Sequence, residues 1–86
     1  MKLDNFEREQ LKEELLIHLY KEGPDHSYRI YRKIKSAVTY PSVWIALKTL
    51  ENEGLINSVK EGRRINFELT DKGKQVVEKL IGGEKQ

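Results

Sequence analysis

The stretch TYPSVWIALKTLENEGLI, residues 39–56, decides the fold around which the rest of the chain is arranged. Pro41 lacks a backbone N–H and has a fixed φ, so it suits the first turn of a helix. Apolar residues recur at helical spacing and form one stripe: Val43, Leu47 and Leu50. Because Gly54 is typical of a helix end, the sequence predicts a helix over residues 41–53 that packs by this stripe.

The face of this predicted helix opposite the apolar stripe is mixed. It carries polar side chains together with Trp44 and Ile45, which are large and apolar. Such residues on a polar face indicate contact with another part of the fold or with a partner. For Trp44, the alternative to a partner contact is packing against the preceding helix.

A longer helix is predicted before this stretch. Asp4 and Glu7 have the spacing of a capping box, and Gly23 is typical of a helix end, so the first helix should cover residues 4–22. Between residues 15 and 20 this helix is apolar nearly all round, and these side chains cannot share one face. The domain can cover only one side of such a helix, so a second copy of the chain is the expected cover for the other side.

A short helix is predicted between these two. Ser27 is a favourable N-cap residue, which predicts a second helix over residues 27–35. Residues 36–39 then lead into the helix at 41–53. Two helices joined by so short a connection are typical of a helix-turn-helix.

The periodicity changes from helical to alternating after Gly54. A β-hairpin is predicted within residues 55–70, because apolar side chains alternate along its second strand: Ile65, Phe67 and Leu69. A last helix is predicted over residues 71–81, capped by Thr70 or Asp71. The predicted fold class is mainly α with a β-hairpin wing (α+β), a winged helix-turn-helix, as a single domain over residues 1–86.

Charge is distributed unevenly along the chain. The net charge is +2, but residues 26–50 carry basic side chains and no acidic one. These basic residues are Arg29, Arg32, Lys33, Lys35 and Lys48. A solvated basic face is the ordinary explanation, but a whole window without an acid favours a polyanion such as nucleic acid.

Other classes of site find no support in the sequence. The chain has no cysteine, and His18 and His26 lack the spacing of a metal-binding pair, so no disulfide, metal or cofactor is expected. No arrangement of nucleophile, base and acid is recognisable, so the protein is not expected to be an enzyme and no catalytic residue is assigned. No apolar run approaches the roughly 20 residues of a membrane span. The charged first residues are unlike a secretory signal, so a cytoplasmic protein without a membrane partner is expected.

Four runs of this sequence resemble a single family. They are PDHSYRIYRKI (residues 24–34), TYPSVWIALKTLENEGLI (39–56), GRRINFELT (62–70) and DKGK (71–74). The chain as a whole has the order helix, basic helix, exposed helix and arginine-tipped hairpin, which is the order of a winged helix-turn-helix domain. The four runs resemble the PadR-type transcriptional regulators, with the MarR group as a more distant relative. The resemblance covers about residues 15–80. It departs from the family pattern at Trp44 and at Pro41-Ser42, where the family usually has Tyr and Gly-Thr.

The resemblance implies a dimeric repressor that binds specific sequences in double-stranded DNA, with the helix at 41–53 as the recognition helix in the major groove. The expected DNA contacts are Ser27, Arg29, Arg32, Thr39, Tyr40, Ser42, Trp44, Ile45, Lys48, Arg63 and Arg64. The expected homodimer contacts on the first and last helices are Phe6, Leu16, Ile17, Tyr20, Val77, Leu80 and Ile81. A winged helix that binds protein within a larger assembly is the alternative, and the existence of a small-molecule effector is left open.

Overall fold

The computed structural model describes residues 4–34 and 38–82. Within them the chain forms four helices and a three-stranded antiparallel sheet: α1 (Asn5–Glu22), β1 (Asp25–His26), α2 (Ser27–Lys33), α3 (Tyr40–Asn52), β2 (Ile56–Glu61), β3 (Arg64–Leu69) and α4 (Asp71–Gly82). This is the arrangement of a winged helix-turn-helix, so the predicted fold class is confirmed. The predicted end of the second helix at residue 35 and the first half of the predicted connection lie outside the described residues.

The start of α1 is set by its own sequence. Asp4 and Glu7 form the predicted capping box. The Glu7 N–H donates to the Asp4 carboxylate at 2.8 Å, and the Asp4 N–H donates to the Glu7 carboxylate at 3.2 Å. Each bond satisfies a backbone donor that the first turn of a helix leaves without a partner.

The helix α3 begins one residue earlier than predicted, at Tyr40, with Pro41 in its first turn. Thr39 is the N-cap, and its hydroxyl accepts from the Ser42 N–H at 3.4 Å. At the other end, Gly54 has φ 80°, a value that L side chains rarely adopt, and it turns the chain toward β2. Local sequence therefore sets both ends of α3.

The predicted N-cap of α2 is wrong. Ser27 is the first residue of the helix, and the cap position belongs to His26, which makes no side-chain cap bond. His26 is held in β1, which pairs with β3. The Ser27 hydroxyl instead forms a hydrogen bond with the Tyr40 hydroxyl at 2.7 Å, so it joins α2 to α3.

The strand β1 was not predicted from the sequence, whereas the hairpin was. In the hairpin, β2 and β3 are antiparallel, and Glu61 lies opposite Arg64 next to the turn. β1 pairs with the other edge of β3, with Asp25 opposite Phe67, and gives the strand order β1-β3-β2. The segment that leads into α2 is thereby anchored to the wing.

A single apolar core forms where the helices meet the sheet. Its buried residues come from α1, α2, α3, α4 and the two hairpin strands. They are Leu11, Leu15, Leu16, Leu19, Ile30, Val43, Ala46, Leu47, Leu50, Ile56, Phe67 and Val77. Since the predicted stripe of α3 is buried in this core, the opposite face of α3 is held toward solvent.

Asp25 is buried, and its carboxylate is paired. It lies 3.2 Å from Nε2 of His18 and accepts from the His26 N–H at 2.9 Å. The His18 side chain is only 9% exposed. The pair ties α1 to β1 and so to the start of α2.

The start of α4 packs closely against the turn after α3. The Thr70 hydroxyl donates to the Gly54 carbonyl at 2.7 Å and accepts from the Gly73 N–H at 3.0 Å, so Thr70, one of the two predicted residues, caps α4. A Cβ atom on Gly73 would overlap the carbonyl oxygen of Leu55. This close approach explains the Leu-Thr-x-x-Gly pattern of residues 69–73.

Candidate nucleic-acid interface

The face of α3 away from the core presents a compact set of accessible groups. Ile45 is 64% exposed, Lys48 is exposed and Ser42 is half-buried. The Ser42 hydroxyl lies 3.0 Å from that of Thr39 at the first turn. The Thr49 hydroxyl donates to the Ile45 carbonyl at 2.9 Å and is therefore engaged within the helix. This face thus offers one large apolar side chain between a hydroxyl and an ammonium group.

Trp44 lies between α3 and the wing. Its ring meets the ring of Phe67 edge to face, with centroids 5.8 Å apart and an interplanar angle of 76°. Lys48 Nζ lies 5.6 Å from the centroid of the indole. The aromatic neighbour of Trp44 therefore belongs to β3 and not to the preceding helix. Such an aromatic pair adds packing energy and fixes the wing relative to α3.

A hydrogen-bonded bridge also joins α3 to β2. Glu51 accepts from Lys48 Nζ at 2.7 Å and from the Ser58 hydroxyl at 2.6 Å. The bond from Lys48, followed by the bond from Ser58, lowers the pKa of Glu51 below its ordinary value of 4.5. The bridge was not predicted from the sequence, because its partners on α3 and β2 meet only in the folded chain.

The tip of the wing is basic. Lys60, Arg63 and Arg64 are all exposed on either side of the hairpin turn. Beside them, the side-chain amide of Asn66 donates to the Glu61 carboxylate and links the two strands near the turn. The hairpin therefore carries its guanidinium groups away from the core, where they are accessible to an anion.

The surface of α2 carries two of the predicted DNA contacts. The Arg29 side chain is 60% exposed, with Nε 3.7 Å from the Asp25 carboxylate. Arg32 is exposed, and its guanidinium carbon lies 6.0 Å from the centroid of the Tyr28 ring. Both arginines therefore have a neighbour that restrains them while much of the side chain remains accessible.

Three tyrosines, Tyr28, Tyr31 and Tyr40, form a cluster at the joint between α2 and α3. The centroid of the Tyr28 ring lies 6.1 Å from that of Tyr31 and 6.0 Å from that of Tyr40. The rings of Tyr31 and Tyr40 meet edge to face at 5.6 Å. Ser27 and Tyr40 were predicted as contacts, whereas Tyr28 and Tyr31 were not. Tyr28 and Tyr31 are three residues apart on one short helix, and this spacing was the sequence signal that could have placed their rings together.

The residues predicted for a dimer interface fall into two groups. Phe6 is 69% exposed and Tyr20 is 41% exposed, while other members are half-buried: Ile17, Leu80 and Ile81. Leu16 and Val77 are 3% and 0% exposed. That part of the prediction is corrected, because α4 packs against α1 and both side chains are used within the core of the same chain.

Residues 4–34 and 38–82 hold no group of three or more His, Cys, Asp or Glu side chains suited to a metal ion. None of the helices in those ranges combines the length and the apolar character required to cross a membrane.

A family model described as the transcriptional regulator PadR-like family matches residues 15–79 of the chain. This span runs from the middle of α1 into α4 and includes α2, α3 and the wing. No curated protein matches the chain.

Solved structures show the same fold. YusO from Bacillus subtilis is 26% identical with a TM-score of 0.78, and the match covers 87% of this chain and 54% of that one. The transcriptional regulator Tm0710 from Thermotoga maritima is 25% identical, with a TM-score of 0.75 and coverage of 84% and 51%. A MarR family protein from Bacillus stearothermophilus is 19% identical, with a TM-score of 0.78 and coverage of 86% and 51%. The chain thus spans just over half the length of each of these proteins.

Proposed function

The chain belongs to the PadR-like family of transcriptional regulators, and we propose that it acts as a dimeric repressor that binds specific sequences in double-stranded DNA. The observation that carries the proposal is the accessible face of α3, with Ile45 between Ser42 and Lys48, beside an arginine-tipped wing. A helix of this kind fits the major groove, where its side chains can reach base edges.

In this proposal the accessible face of α3 reads the bases. Ser42 can donate or accept a hydrogen bond, Lys48 can donate to guanine, and Ile45 can press against a thymine methyl group. Thr39 and Tyr40 contact DNA at the start of the helix. Trp44 has a smaller part than the sequence implied, because its ring is half-buried against Phe67 and serves mainly to position the wing.

The remaining contacts go to the sugar-phosphate backbone. Arg29 and Arg32 lie on α2, and Arg63 and Arg64 lie at the tip of the wing. Contacts to phosphates fix the register of the protein on the duplex and add affinity through counterion release, but they carry little sequence information. Base discrimination is therefore assigned to α3 and affinity to α2 and the wing.

A dimer would present two copies of α3 to one duplex. Two-fold symmetry then requires a pseudo-palindromic operator with half-sites about 10–10.5 base pairs apart, centre to centre. Such a dimer represses without any further activity where its operator overlaps DNA that a polymerase must enter.

The second candidate is a winged helix that binds a protein within an assembly, since a fold alone does not fix function. The observation that favours it is Ile45, because a side chain 64% exposed and apolar at the centre of α3 would also suit a protein groove. The basic wing tip and the acid-free window over residues 26–50 favour DNA.

The experiment that separates the roles starts with selection of a binding site from random duplex DNA. Binding is then measured over a salt series, to the selected operator and to a random duplex. Arg63→Ala combined with Arg64→Ala should weaken both complexes and reduce the salt slope by about two. Ile45→Ala or Ser42→Ala should reduce the preference for operator by about 1–3 kcal/mol and leave the slope nearly unchanged.

The matched control replaces two exposed lysines on α4, Lys74→Ala with Lys79→Ala. It removes the same charge from a helix outside the proposed DNA interface. It should change neither the affinity nor the slope by as much as the wing variant. Loss of specificity in the wing variant alone would show that the reading surface is misassigned. Equal DNA binding by all variants would favour the protein-binding candidate.

A further inference from the structure

The tyrosine cluster contains one ring that faces solvent. Tyr28 is 55% exposed, although its ring has aromatic neighbours on two elements, Tyr31 on α2 and Tyr40 on α3. The guanidinium of Arg32 lies over the same ring, at 6.0 Å. The Tyr28 hydroxyl forms no hydrogen bond to another described residue. An exposed ring held by three neighbours is preorganised for a contact, because little further side-chain freedom is lost on binding.

The position of this ring relates it to α3. Tyr40 is the first residue of α3, and its hydroxyl bonds to that of Ser27, the residue before Tyr28. The cluster therefore lies beside the end of α3 that carries Ser42 and Ile45. When a helix enters the major groove, the phosphates that border the groove pass next to that end.

We propose that Tyr28 is a backbone-positioning contact, whose hydroxyl donates a hydrogen bond to a DNA phosphate at the edge of the groove. The inference rests on the proposed function and adds a residue that neither the sequence nor the family match assigns. The surroundings suit an anion, because the Arg32 guanidinium lies over the ring and residues 26–50 contain no acidic side chain. Tyrosine hydroxyls are among the groups that bind phosphate oxygens in protein–DNA complexes.

This contact should differ measurably from that of an arginine. A neutral hydroxyl displaces no counterion, so its loss should lower the affinity without changing the salt slope. Because the ring also touches Tyr40, the contact would set how deeply α3 enters the groove. It should therefore act on the operator and on random DNA alike, as a phosphate contact does.

The central variant is Tyr28→Phe, which keeps the ring, its aromatic neighbours and its contact with Arg32. We expect binding to both DNAs to weaken by about 10- to 100-fold, the effect of one hydrogen bond to a charged group, with the salt slope unchanged. Arg32→Ala should instead reduce the slope by about one. Tyr31→Phe is the matched control, since it removes a hydroxyl from a half-buried ring of the same cluster, and it should bind as the parent does.

Two measurements test the assignment directly. The thermal midpoint of Tyr28→Phe should equal that of the parent, because a purely structural role would lower it. Operator phosphates are also replaced one at a time by neutral methylphosphonates. At the phosphate that Tyr28 contacts, the replacement should weaken the parent complex and leave the Tyr28→Phe complex nearly unaffected.

Each other outcome overturns the inference. Parent-like DNA binding by Tyr28→Phe would show that the hydroxyl makes no contact with a phosphate. Weaker binding to the operator with unchanged binding to random DNA would make Tyr28 a base-reading residue. A lowered thermal midpoint that accounts for the loss would make it a structural residue. If the parent protein binds no duplex DNA, the proposed function itself fails. Parent-like binding by Tyr28→Phe beside weakened binding by the wing variant overturns this inference alone.

Discussion

Gly73 shows how a single missing side chain allows two elements to meet. It lies in the first turn of α4, where a Cβ atom would overlap the Leu55 carbonyl oxygen and would come 3.1 Å from both the Leu55 carbonyl carbon and Leu69 Cδ2. Two of these atoms are backbone and cannot turn away. The absence of a side chain at this position therefore fixes how closely α4 approaches the turn between α3 and β2.

Gly73→Ala is expected to destabilise the fold by about 1–3 kcal/mol, as overpacking at a closely packed site does. Alanine favours a helix over glycine by about 1 kcal/mol, so a net loss means that the overlap outweighs the gain in propensity. The midpoint of urea unfolding at an unchanged m-value measures the effect. Gly82→Ala, on the same helix with no atom near its Cβ, is the control and should be neutral or slightly stabilising.

Individual residues also show what the sequence could predict. The capping box of Asp4 and Glu7 and the cap by Thr70 were predictable, because each depends on residues within three positions of one another. The cap by Ser27 was not, since the pairing of β1 with β3 took His26 as the cap position and left the Ser27 hydroxyl to Tyr40. A distant contact had overridden a local preference.

At the scale of elements, α3 and the wing are joined by two different contacts. Trp44 packs against Phe67 near the middle of α3, and Glu51 near its end accepts from Ser58 on β2. Together they hold the proposed reading helix and the proposed backbone contact in a fixed relation. Neither was predictable, because the partners lie on different elements and no periodicity couples them.

Glu51→Gln is expected to make the fold less stable at neutral pH only. Because the folded-state pKa of Glu51 is lowered, its contribution is present above the ordinary value of 4.5 and is lost as the pH falls through the lowered folded value. The pair is partly exposed, so the difference at neutral pH should be about 0.5 kcal/mol.

Denaturation of Glu51→Gln and the parent over a pH series measures this prediction. The two stability curves should approach each other below the ordinary pKa of 4.5 and converge below the lowered pKa of Glu51 in the folded state. Ser58→Ala serves as the comparison, because it removes only the second of the two hydrogen bonds to Glu51. Its loss of stability at neutral pH should be smaller than that of Glu51→Gln. A gap that persists in acid would mean that packing rather than charge is responsible.

The elements themselves were largely predictable from the sequence. The four helices and the hairpin follow from apolar periodicity, and their bounds differ from the prediction by one or two residues where the structure describes them. β1 was missed because two residues cannot show a periodicity, and this strand exists only through its pairing with β3. The proposed site was predictable as residue types on α3 and the wing tip, whereas the tyrosine cluster needed the fold.

At the scale of the whole molecule, two sides of the chain have different character. The proposed DNA face carries the basic residues of α2 and the wing, while α1 carries a line of residues that are exposed except for the half-buried Ile17. Five residues on α1 share this line at helical spacing: Phe6, Gln10, Glu13, Ile17 and Tyr20. The outermost two are aromatic and exposed. This line is the surface that we expect a second copy to cover in the proposed dimer.

An antiparallel pair of α1 helices centred on Glu13 would use the whole line. Phe6 would then lie against Tyr20 of the partner subunit at each end, and the two copies of Glu13 would face each other at the two-fold axis. The aromatic ends should stabilise the pair, and the two carboxylates at its centre should oppose it. The half-buried Leu80 and Ile81 on α4 would extend the contact.

Sedimentation at micromolar concentration is expected to show two chains for the parent and mainly one chain for Phe6→Ala with Tyr20→Ala. Val59→Ala, an exposed apolar residue on the wing, is the control and should remain dimeric. Glu13→Gln should strengthen the dimer, because it removes the repulsion at the axis, and the gain should shrink at high salt. A parent that stays monomeric at high concentration would exclude the dimer. Weaker association of Glu13→Gln would exclude the antiparallel arrangement while leaving a dimer through α4 to be tested by substitution of Leu80 and Ile81.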